Sequence, residues 1–283
     1  MRIGFVGAGL MGAPMVGNLV AAGHDVVVSS RTPERLADTG WTVVGSPAEA
    51  ARDADIVCSI VPDSPEVADV VRAVLETIPE GGVIVEMSTH SPETARELAA
   101  ECAVRGVAYL DCPVSGGPTG AAAGSLAIWV GGSVEALERA RPVLTVLGDE
   151  AKLRHCGEVG AGLAVKLANN YLGAVIAAAS AEALAMARAE GLDPQLVIDA
   201  VMTGSGANWQ LGNLYPHKVL QGDYEPGFKL AHMIKDVRAA RALAESLGVE
   251  QPVGDVTLGR LVTALERFGA DVDYGSVARL NDW

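Results

Sequence analysis

Cysteine and positive charge are both scarce in this sequence. The 283 residues include four cysteines, which lie far apart and form neither a CxxC pair nor a metal-ligand spacing with histidine. We therefore expect no disulfide framework and no metal site, and reduced thiols fit a cytoplasmic location. Lysine and arginine together number 21 against 35 acidic residues, a net charge of −14. This balance argues against a sequence-independent nucleic-acid binder, which needs a basic face.

Long hydrophobic runs free of polar residues are also missing. The most apolar stretch, residues 163–187, is interrupted by Lys166, Asn169, Asn170 and Glu182. We predict neither a signal peptide nor a membrane span. Apolar residues still make up 49% of the chain and charged residues only 20%, which predicts a globular protein. At about 100 to 200 residues per domain, the length allows one large or two medium domains.

The first 159 residues alternate short β-branched runs with segments of helical character. Ser46-Pro47 and Ser91-Pro92 each place a capping serine before a proline, which is typical of a helix start. This alternation predicts an α/β domain of the Rossmann type, with a doubly wound, mainly parallel sheet covered on both faces. The expected strands are 2–6, 25–29, 56–60, 83–87, 107–110 and 126–130.

After about residue 160 the strand signals stop. The sequence becomes rich in alanine and leucine at helical spacing, beginning with a segment from Leu163 to about Glu190. Gly191 ends that helix, and Asp193-Pro194 begins the next. Residues 160–283 are therefore predicted to form an all-helical domain built on a long inter-domain helix. So alanine-rich a helix also suits packing against another subunit.

A glycine-rich segment follows the first predicted strand directly. Gly7, Gly9 and Gly12 fit GxGxxG, with Leu10 and Met11 between them, and a helix is expected from about residue 10 to 22. The glycines let the backbone approach a pyrophosphate, and the helix N-terminus offers free N–H groups. This context favours dinucleotide binding over a turn that binds nothing.

The second predicted strand ends at Ser30-Arg31-Thr32, where an NAD-binding domain would offer an acid to the ribose hydroxyls. No acidic residue is present there, and Arg31 can neutralise a 2′-phosphate. The segment favours NADP, with NAD as the alternative. If Arg31 is simply a solvated residue, it carries no such preference.

Residues 111–117 read Asp-Cys-Pro-Val-Ser-Gly-Gly and follow a predicted strand. Gly116 and Gly117 expose backbone N–H groups to an anion, and the Ser115 hydroxyl adds a further hydrogen bond. A carboxylate suits such a loop. A flexible turn between strands is the alternative.

A lysine interrupts the apolar face of the long helix. Lys166 and Asn170 are four residues apart and share one side of it. The chain has only five lysines, and lysine, unlike arginine, can lose its proton, as proton transfer requires. A lysine snorkelling from a packed helix is the alternative. Lys235 in the segment 228–236 either reaches a cofactor or forms an exposed helical pair with Asp236.

Together these motifs resemble the β-hydroxyacid dehydrogenase family, which includes 3-hydroxyisobutyrate dehydrogenases, tartronate semialdehyde reductases and glyoxylate/succinic semialdehyde reductases. The resemblance covers nearly the whole chain, although Ala8 stands where the family more usually has leucine. It is carried in order by residues 5–19, Val61-Pro62-Asp63, Ser88-Thr89, the loop 111–117, residues 166–170 and residues 228–236.

The resemblance implies a role for each matching position. Lys166 would be the general acid/base, Asn170 would orient the substrate, and Ser115, Gly116 and Gly117 would hold its carboxylate. Trp209 would line the pocket, with plain packing as the alternative. Contacts to the cofactor would come from Met11, Val61, Pro62, Thr89 and Lys235. The resemblance also implies a homodimer or homotetramer.

Two other functions fit the same architecture. Imine reductases share it, but they usually carry aspartate or tyrosine where Lys166 stands. Non-catalytic family members that serve as interaction modules have lost the lysine. The residues support a small carboxylate substrate with a neighbouring hydroxyl or carbonyl, and they leave its identity and the physiological direction open.

Overall fold

The computed structural model describes residues 1–283 and consists of two compact units, Met1–Lys166 and Leu167–Trp283. The division lies within the long helix, whereas the sequence prediction places the domain boundary just before it, at 159/160. Each unit has its own hydrophobic core.

The first unit contains a nine-stranded sheet with the order β3-β2-β1-β4-β5-β6-β8-β7, in which β9 pairs with β8. The pairs that join β1 to β6 are all parallel, and β8 runs antiparallel to β6 and β7. The predicted doubly wound, mainly parallel sheet is confirmed. The strands are β1 (Arg2–Val6), β2 (Asp25–Ser29), β3 (Thr42–Val44), β4 (Ile56–Ser59), β5 (Val83–Glu86), β6 (Ala108–Asp111), β7 (Val114–Ser115), β8 (Leu126–Gly131) and β9 (Gly148–Gly157).

Helices cover both faces of this sheet. Alternate strand residues belong to different hydrophobic clusters: Ile56 and Cys58 to one, Val57 to the other. Ser46 and Ser91 cap their helices, as the Ser-Pro pairs predict, by accepting bonds from Glu49 N–H and Glu93 N–H. The helices are α1 (Gly12–Ala21), α2 (Pro47–Ala51), α3 (Ser64–Leu75), α4 (Pro92–Val104), α5 (Gly117–Ala122) and α6 (Val134–Leu147), with a 3₁₀ segment at Pro33–Thr39.

The second unit is helical, as predicted, apart from an isolated bridge between Lys229 and Asp273. Asp193 caps α8 by accepting a bond from Leu196 N–H. The helices are α7 (Ala161–Ala189, which begins in the first unit), α8 (Pro194–Val201), α9 (Tyr215–His217), α10 (Leu230–Ser246) and α11 (Pro252–Phe268), with a π-helical segment at Gln210–Leu214 and 3₁₀ segments at Val219–Gln221 and Tyr274–Asn281.

The helix α7 is long and apolar enough, by length and composition, to cross a membrane. Ala174, Ala177, Ala181 and Leu184 on its inner side are buried in the core of the second unit. It is therefore a core helix. Core helices of this length can be as long and apolar as a membrane span.

Candidate active site

The three motif glycines in the turn after β1 have different structural roles. A Cβ on Gly7, whose φ is +98°, would lie 2.1 Å from the Ile60 carbonyl oxygen, and one on Gly12 would lie 2.1 Å from the Gly7 carbonyl oxygen. A Cβ on Gly9 would meet no protein atom within 4 Å. Packing therefore requires Gly7 and Gly12, whereas at Gly9 the open space leaves room for a ligand to approach the backbone.

The helix after this turn has no side-chain cap. Four other helices of the first unit, α2, α3, α4 and α6, are capped by their own serine or aspartate, but α1 has neither a capping side chain nor an acidic residue in its first turn. Its first N–H groups lack partners within the helix and carry its positive dipole end. Leu10 is exposed and Met11 partly so. This N-terminus fits a pyrophosphate.

The end of β2 presents a cation between two hydroxyl groups. The Ser30 Oγ accepts a hydrogen bond from Thr32 N–H at 3.2 Å, which closes a tight turn around Arg31. The Arg31 side chain is exposed, and no acidic residue lies between Ser29 and Pro33. The turn fits a phosphorylated ribose better than a free 2′-hydroxyl.

A buried carboxyl group joins the ends of β4 and β5. Glu86 accepts hydrogen bonds from the Ser59 hydroxyl and, at 2.7 Å, from Ser88 N–H. Ser88 Oγ in turn accepts Val61 N–H at 2.7 Å. Burial raises the pKa of Glu86 to about 7, against the hydrogen bonds from Ser59 and Ser88 that lower it. The residues expected to contact the cofactor follow these two strands: Val61, Pro62 and Thr89.

The loop predicted to hold a carboxylate is built into the sheet. Ser115 pairs with Ala127 of β8, and Gly116 and Gly117 have φ angles of +135° and +60°. A Cβ on Gly116 would also approach the Leu126 side chain at 3.1 Å. Because β7 and β8 pair here, this segment is an ordered turn rather than a flexible connection.

Lys166 lies close to the strand that supports this loop. Its side chain on α7 is buried, and its Nζ lies 6.0 Å from the centroid of the Trp129 ring. Trp129 belongs to β8, and its backbone N–H donates to the Pro113 carbonyl at 3.2 Å. The first unit therefore brings Lys166, an aromatic ring and the loop together, at a distance where a cation–π attraction acts.

Asp111, the last residue of β6, contacts the beginning of α7. Its Oδ1 accepts Gly160 N–H at 2.7 Å and its Oδ2 accepts Leu163 N–H at 2.8 Å. The side chain is fully buried. Burial raises the pKa of Asp111 to about 6, against the lowering effect of these backbone hydrogen bonds.

Within the second unit, Asp236 joins two of the predicted site residues. Its Oδ2 accepts the Asn170 amide at 2.5 Å, and Lys235 Nζ lies 3.0 Å from its Oδ1. The side-chain oxygen Oδ1 of Asn170 accepts a hydrogen bond from the Asn169 side-chain amide at 3.0 Å. These bonds determine the direction of the Asn170 amide. Trp209 is 64% exposed, so the core of this unit does not require it.

Sequence reasoning assigned no role to Glu86, Asp111 or Trp129. It gave Asp236 only together with Lys235, as a pair that reaches the cofactor or is exposed, but Asp236 is 2% exposed. A signal for Glu86 and Asp111 was available, because each acid ends a strand that is otherwise apolar. Trp129 has no such signal, since an aromatic residue in a strand is ordinary. No group of three histidine, cysteine or acidic side chains is placed to hold a metal ion.

Comparison with known proteins identifies the family of this chain. Residues 2–173 match the family described as the NAD binding domain of 6-phosphogluconate dehydrogenase, and residues 160–281 match the NAD-binding family of NADP-dependent 3-hydroxyisobutyrate dehydrogenase. The chain is 36% identical over 295 residues to the NAD-dependent L-serine dehydrogenase of Pseudomonas aeruginosa, covering 99% of this chain and 98% of that protein. The chain belongs to the β-hydroxyacid dehydrogenase family.

Solved structures of related enzymes share the fold of this β-hydroxyacid dehydrogenase. The 3-hydroxyisobutyrate dehydrogenase of Mycobacterium tuberculosis, solved with L-serine, superposes with a TM-score of 0.91 at 36% identity and covers 98% of both chains. An imine reductase from Myxococcus stipitatus, at 23% identity, a TM-score of 0.66 and 98% coverage of both chains, shares the fold alone. The predicted family and the NAD(P) cofactor are confirmed, and the protein is an oxidoreductase of the 3-hydroxyisobutyrate dehydrogenase type.

Proposed function

We propose that this enzyme interconverts a small β-hydroxy acid and its semialdehyde, with Lys166 as the general acid/base. One observation carries this proposal: a buried lysine lies beside Trp129, on the strand that supports the Ser115–Gly117 loop. A proton donor close to a turn suited to a carboxylate is what reduction of an acid semialdehyde needs. The compounds named for the related proteins also support it, since L-serine and 3-hydroxyisobutyrate are both β-hydroxy acids.

The bound nicotinamide supplies the hydride transfer. In reduction, protonated Lys166 donates a proton to the carbonyl oxygen, and in oxidation the neutral amine accepts the hydroxyl proton. The Ser115 hydroxyl and the N–H groups of Gly116 and Gly117 bind the carboxylate. Asn170, held by Asp236, orients the substrate. The protein thus provides position, charge and exclusion of water.

The proposed cofactor is NADP, with NAD as the alternative. The exposed Arg31 and the hydroxyls of Ser30 and Thr32 suit a 2′-phosphate, and no acid competes there. The uncapped N-terminus of α1 binds the pyrophosphate. The remaining contacts come from Gly7, Gly9, Leu10, Met11, Gly12, Val61, Pro62, Thr89 and Lys235.

The test is turnover by the purified enzyme with NADP(H) and NAD(H) over a panel of L-serine, 3-hydroxyisobutyrate and tartronate, succinic and methylmalonate semialdehydes. Lys166→Ala should lose at least a hundredfold in kcat while binding NADPH as the wild type does, because proton transfer contributes about 10²–10⁴ in rate. Lys152→Ala, which removes an exposed lysine of the same unit, is the matched control. Lys166→Ala turnover within threefold of the wild type would contradict the proposed role.

Two outcomes would favour another function. Reduction of a cyclic imine without turnover of any acid would identify an imine reductase that has kept the fold. NADPH binding without turnover of either class would point to a non-catalytic binding protein. The lysine at position 166 is the feature that favours the dehydrogenase over both.

We further propose that the enzyme is a homodimer or homotetramer assembled through α7. Val165, Leu172, Ala179 and Met186 lie on this helix at intervals of seven residues, and all four are exposed. A seven-residue apolar repeat forms one seam along a helix and suits a second copy. Light scattering should show an oligomer, and Leu172→Glu with Met186→Glu should dissociate it. A monomeric wild-type protein would contradict this assignment.

A cytoplasmic location is also proposed, because all four cysteines are free thiols. Burial raises the pKa of Cys58 and of Cys102 to about 12. These thiols stay protonated and belong to the core rather than to a reactive site.

A further inference from the structure

Asp111 is a buried acid that the proposed reaction does not use. It is fully buried at the end of β6, and both of its carboxylate oxygens accept backbone N–H groups of the segment that begins α7. The donors, Gly160 and Leu163, are 49 and 52 residues away in the sequence. The capped helices α2, α4 and α6 use their own preceding serine instead.

A local cap would stabilise α7 as well as a distant one does. A distant cap does something more, because it ties the helix to another part of the fold. Asp111 is itself the first residue of the loop 111–117, which carries Ser115, Gly116 and Gly117. Leu163 lies three residues before Lys166, within one helical turn. One side chain therefore connects the loop to the helix that carries the lysine.

The packing around this carboxylate leaves little freedom. A Cβ on Gly131 of β8 would lie 2.3 Å from Asp111 Oδ1, and a Cβ on Gly162 would lie 2.9 Å from Oδ2 and 2.4 Å from the Trp129 carbonyl oxygen. Only glycine fits at either position. The backbones of β8 and of the first turn of α7 thus pack directly on the carboxylate, so that turn has one position relative to the loop.

We propose that Asp111 is a positioning residue that holds the first turn of α7 so that Lys166 is fixed relative to the substrate loop. This inference rests on the proposed role of Lys166. Proton transfer depends steeply on the distance between donor and acceptor, and a displacement of about 1 Å can cost a hundredfold in rate. Loss of the two hydrogen bonds should therefore lower turnover more than it lowers cofactor affinity.

The test compares Asp111→Asn with Asp273→Asn. Asparagine keeps one acceptor oxygen but turns an amide group toward one of the N–H donors. Asp273 is a matched control, since it is buried, belongs to the second unit and accepts N–H groups of Gly227, Phe228 and Gly275. Both variants should have lower melting temperatures. At a temperature where both are folded, Asp111→Asn should lose at least tenfold in kcat with NADPH affinity within twofold, whereas Asp273→Asn should keep kcat within twofold.

A second readout does not depend on turnover. Trinitrobenzenesulfonate modifies lysine amines, and mass spectrometry of the peptide containing Lys166 gives its rate of modification. Asp111→Asn should change that rate at least threefold, and Asp273→Asn should not. If the wild type reduces no substrate, the proposed function fails, but this labelling still tests the positioning.

Gly162→Ala provides a variant that keeps the carboxylate. Its Cβ would collide with the Trp129 carbonyl oxygen, so the first turn of α7 must shift, and the same loss of kcat with retained NADPH affinity is expected. It replaces Asp111→Asn if that variant does not fold. Equal effects of Asp111→Asn and Asp273→Asn on kcat and on Lys166 labelling would overturn the inference. A wild-type kcat together with a wild-type Lys166 labelling rate in Gly162→Ala would also overturn it.

Discussion

Replacing Glu86 with glutamine should make the stability of the first unit less dependent on pH. Glu86 is fully buried and accepts hydrogen bonds from Ser59 and Ser88. Burial raises its pKa to about 7 from an ordinary value of 4.5. The folded protein therefore keeps a proton that the unfolded chain releases, and the stability that this proton provides is fully present below about pH 4.5 and is lost as the pH rises through 7.

The size of this effect follows from the two pKa values. Each pH unit between them changes the free energy of unfolding by about 1.4 kcal/mol, so roughly 3 kcal/mol is lost in total. Between pH 5 and pH 8 the loss should be about 2 to 3 kcal/mol. Glutamine has no proton to release, and its amide oxygen still accepts one of the two hydrogen bonds.

Urea unfolding of the wild type and of Glu86→Gln at pH 5 and pH 8, at one protein concentration, measures this difference. The free-energy gap between the two proteins should shift by about 2 to 3 kcal/mol in favour of the variant at pH 8. Other carboxyl groups, including Asp111, are present in both proteins and cancel. Glu34→Gln, at an exposed glutamate, should show no such shift. A gap for Glu86→Gln that stays constant within about 0.5 kcal/mol would refute the reasoning.

Four further substitutions test the site. Gly9→Ala should leave the melting temperature of the free enzyme unchanged but lower NADPH affinity at least tenfold, because its Cβ meets no protein atom and fills the space open to a phosphate. Gly259→Ala, at an equally open position inside α11, should leave NADPH affinity unchanged and raise the melting temperature slightly, because alanine favours a helix over glycine. Arg31→Ala should raise the KM for NADPH at least tenfold and that for NADH less than twofold, and equal changes would exclude contact with a 2′-phosphate. Trp129→Leu should lower kcat about twofold to fivefold, since a cation–π contact contributes about 0.5–1 kcal/mol. An unchanged kcat would show that the contact between Lys166 and the Trp129 ring does not affect turnover. Asp236→Ala should raise the KM for the acid substrate at least fivefold, because it removes the acceptor of the Asn170 amide, and steady-state kinetics with a normal KM would contradict this.

Much of the fold was predictable because local signals agree with it. The β-branched run Arg2–Val6 and the motif glycines predicted the first strand and its turn, and both are present. Ser91-Pro92 predicted the start of α4, and the structure has it at that residue. Helix caps and glycine turns depend on neighbouring residues, so they are readable from a single sequence.

Three strands were missed, β3, β7 and β9, and the last two were missed for physical reasons. Residues 148–157 form β9, but the segment is rich in charged residues and half of it is exposed, so it lacks the apolar alternation of a strand. It is extended because β8 offers hydrogen-bonding groups along its free side. The strand β7 has only two residues, Val114 and Ser115, and its pairing with β8 turns a predicted loop into an ordered one.

The sequence by itself indicated the family and predicted the glycine-rich turn and Lys166 as site residues, because each motif consists of residues within a few positions of one another. The tertiary structure decided which acids support them. Glu86 reaches Ser59, and Asp111 reaches Gly160, across 27 and 49 residues of sequence. Such partners meet only when β4, β5 and β6 lie side by side, and no local pattern reports a hydrogen bond that the order of the strands creates.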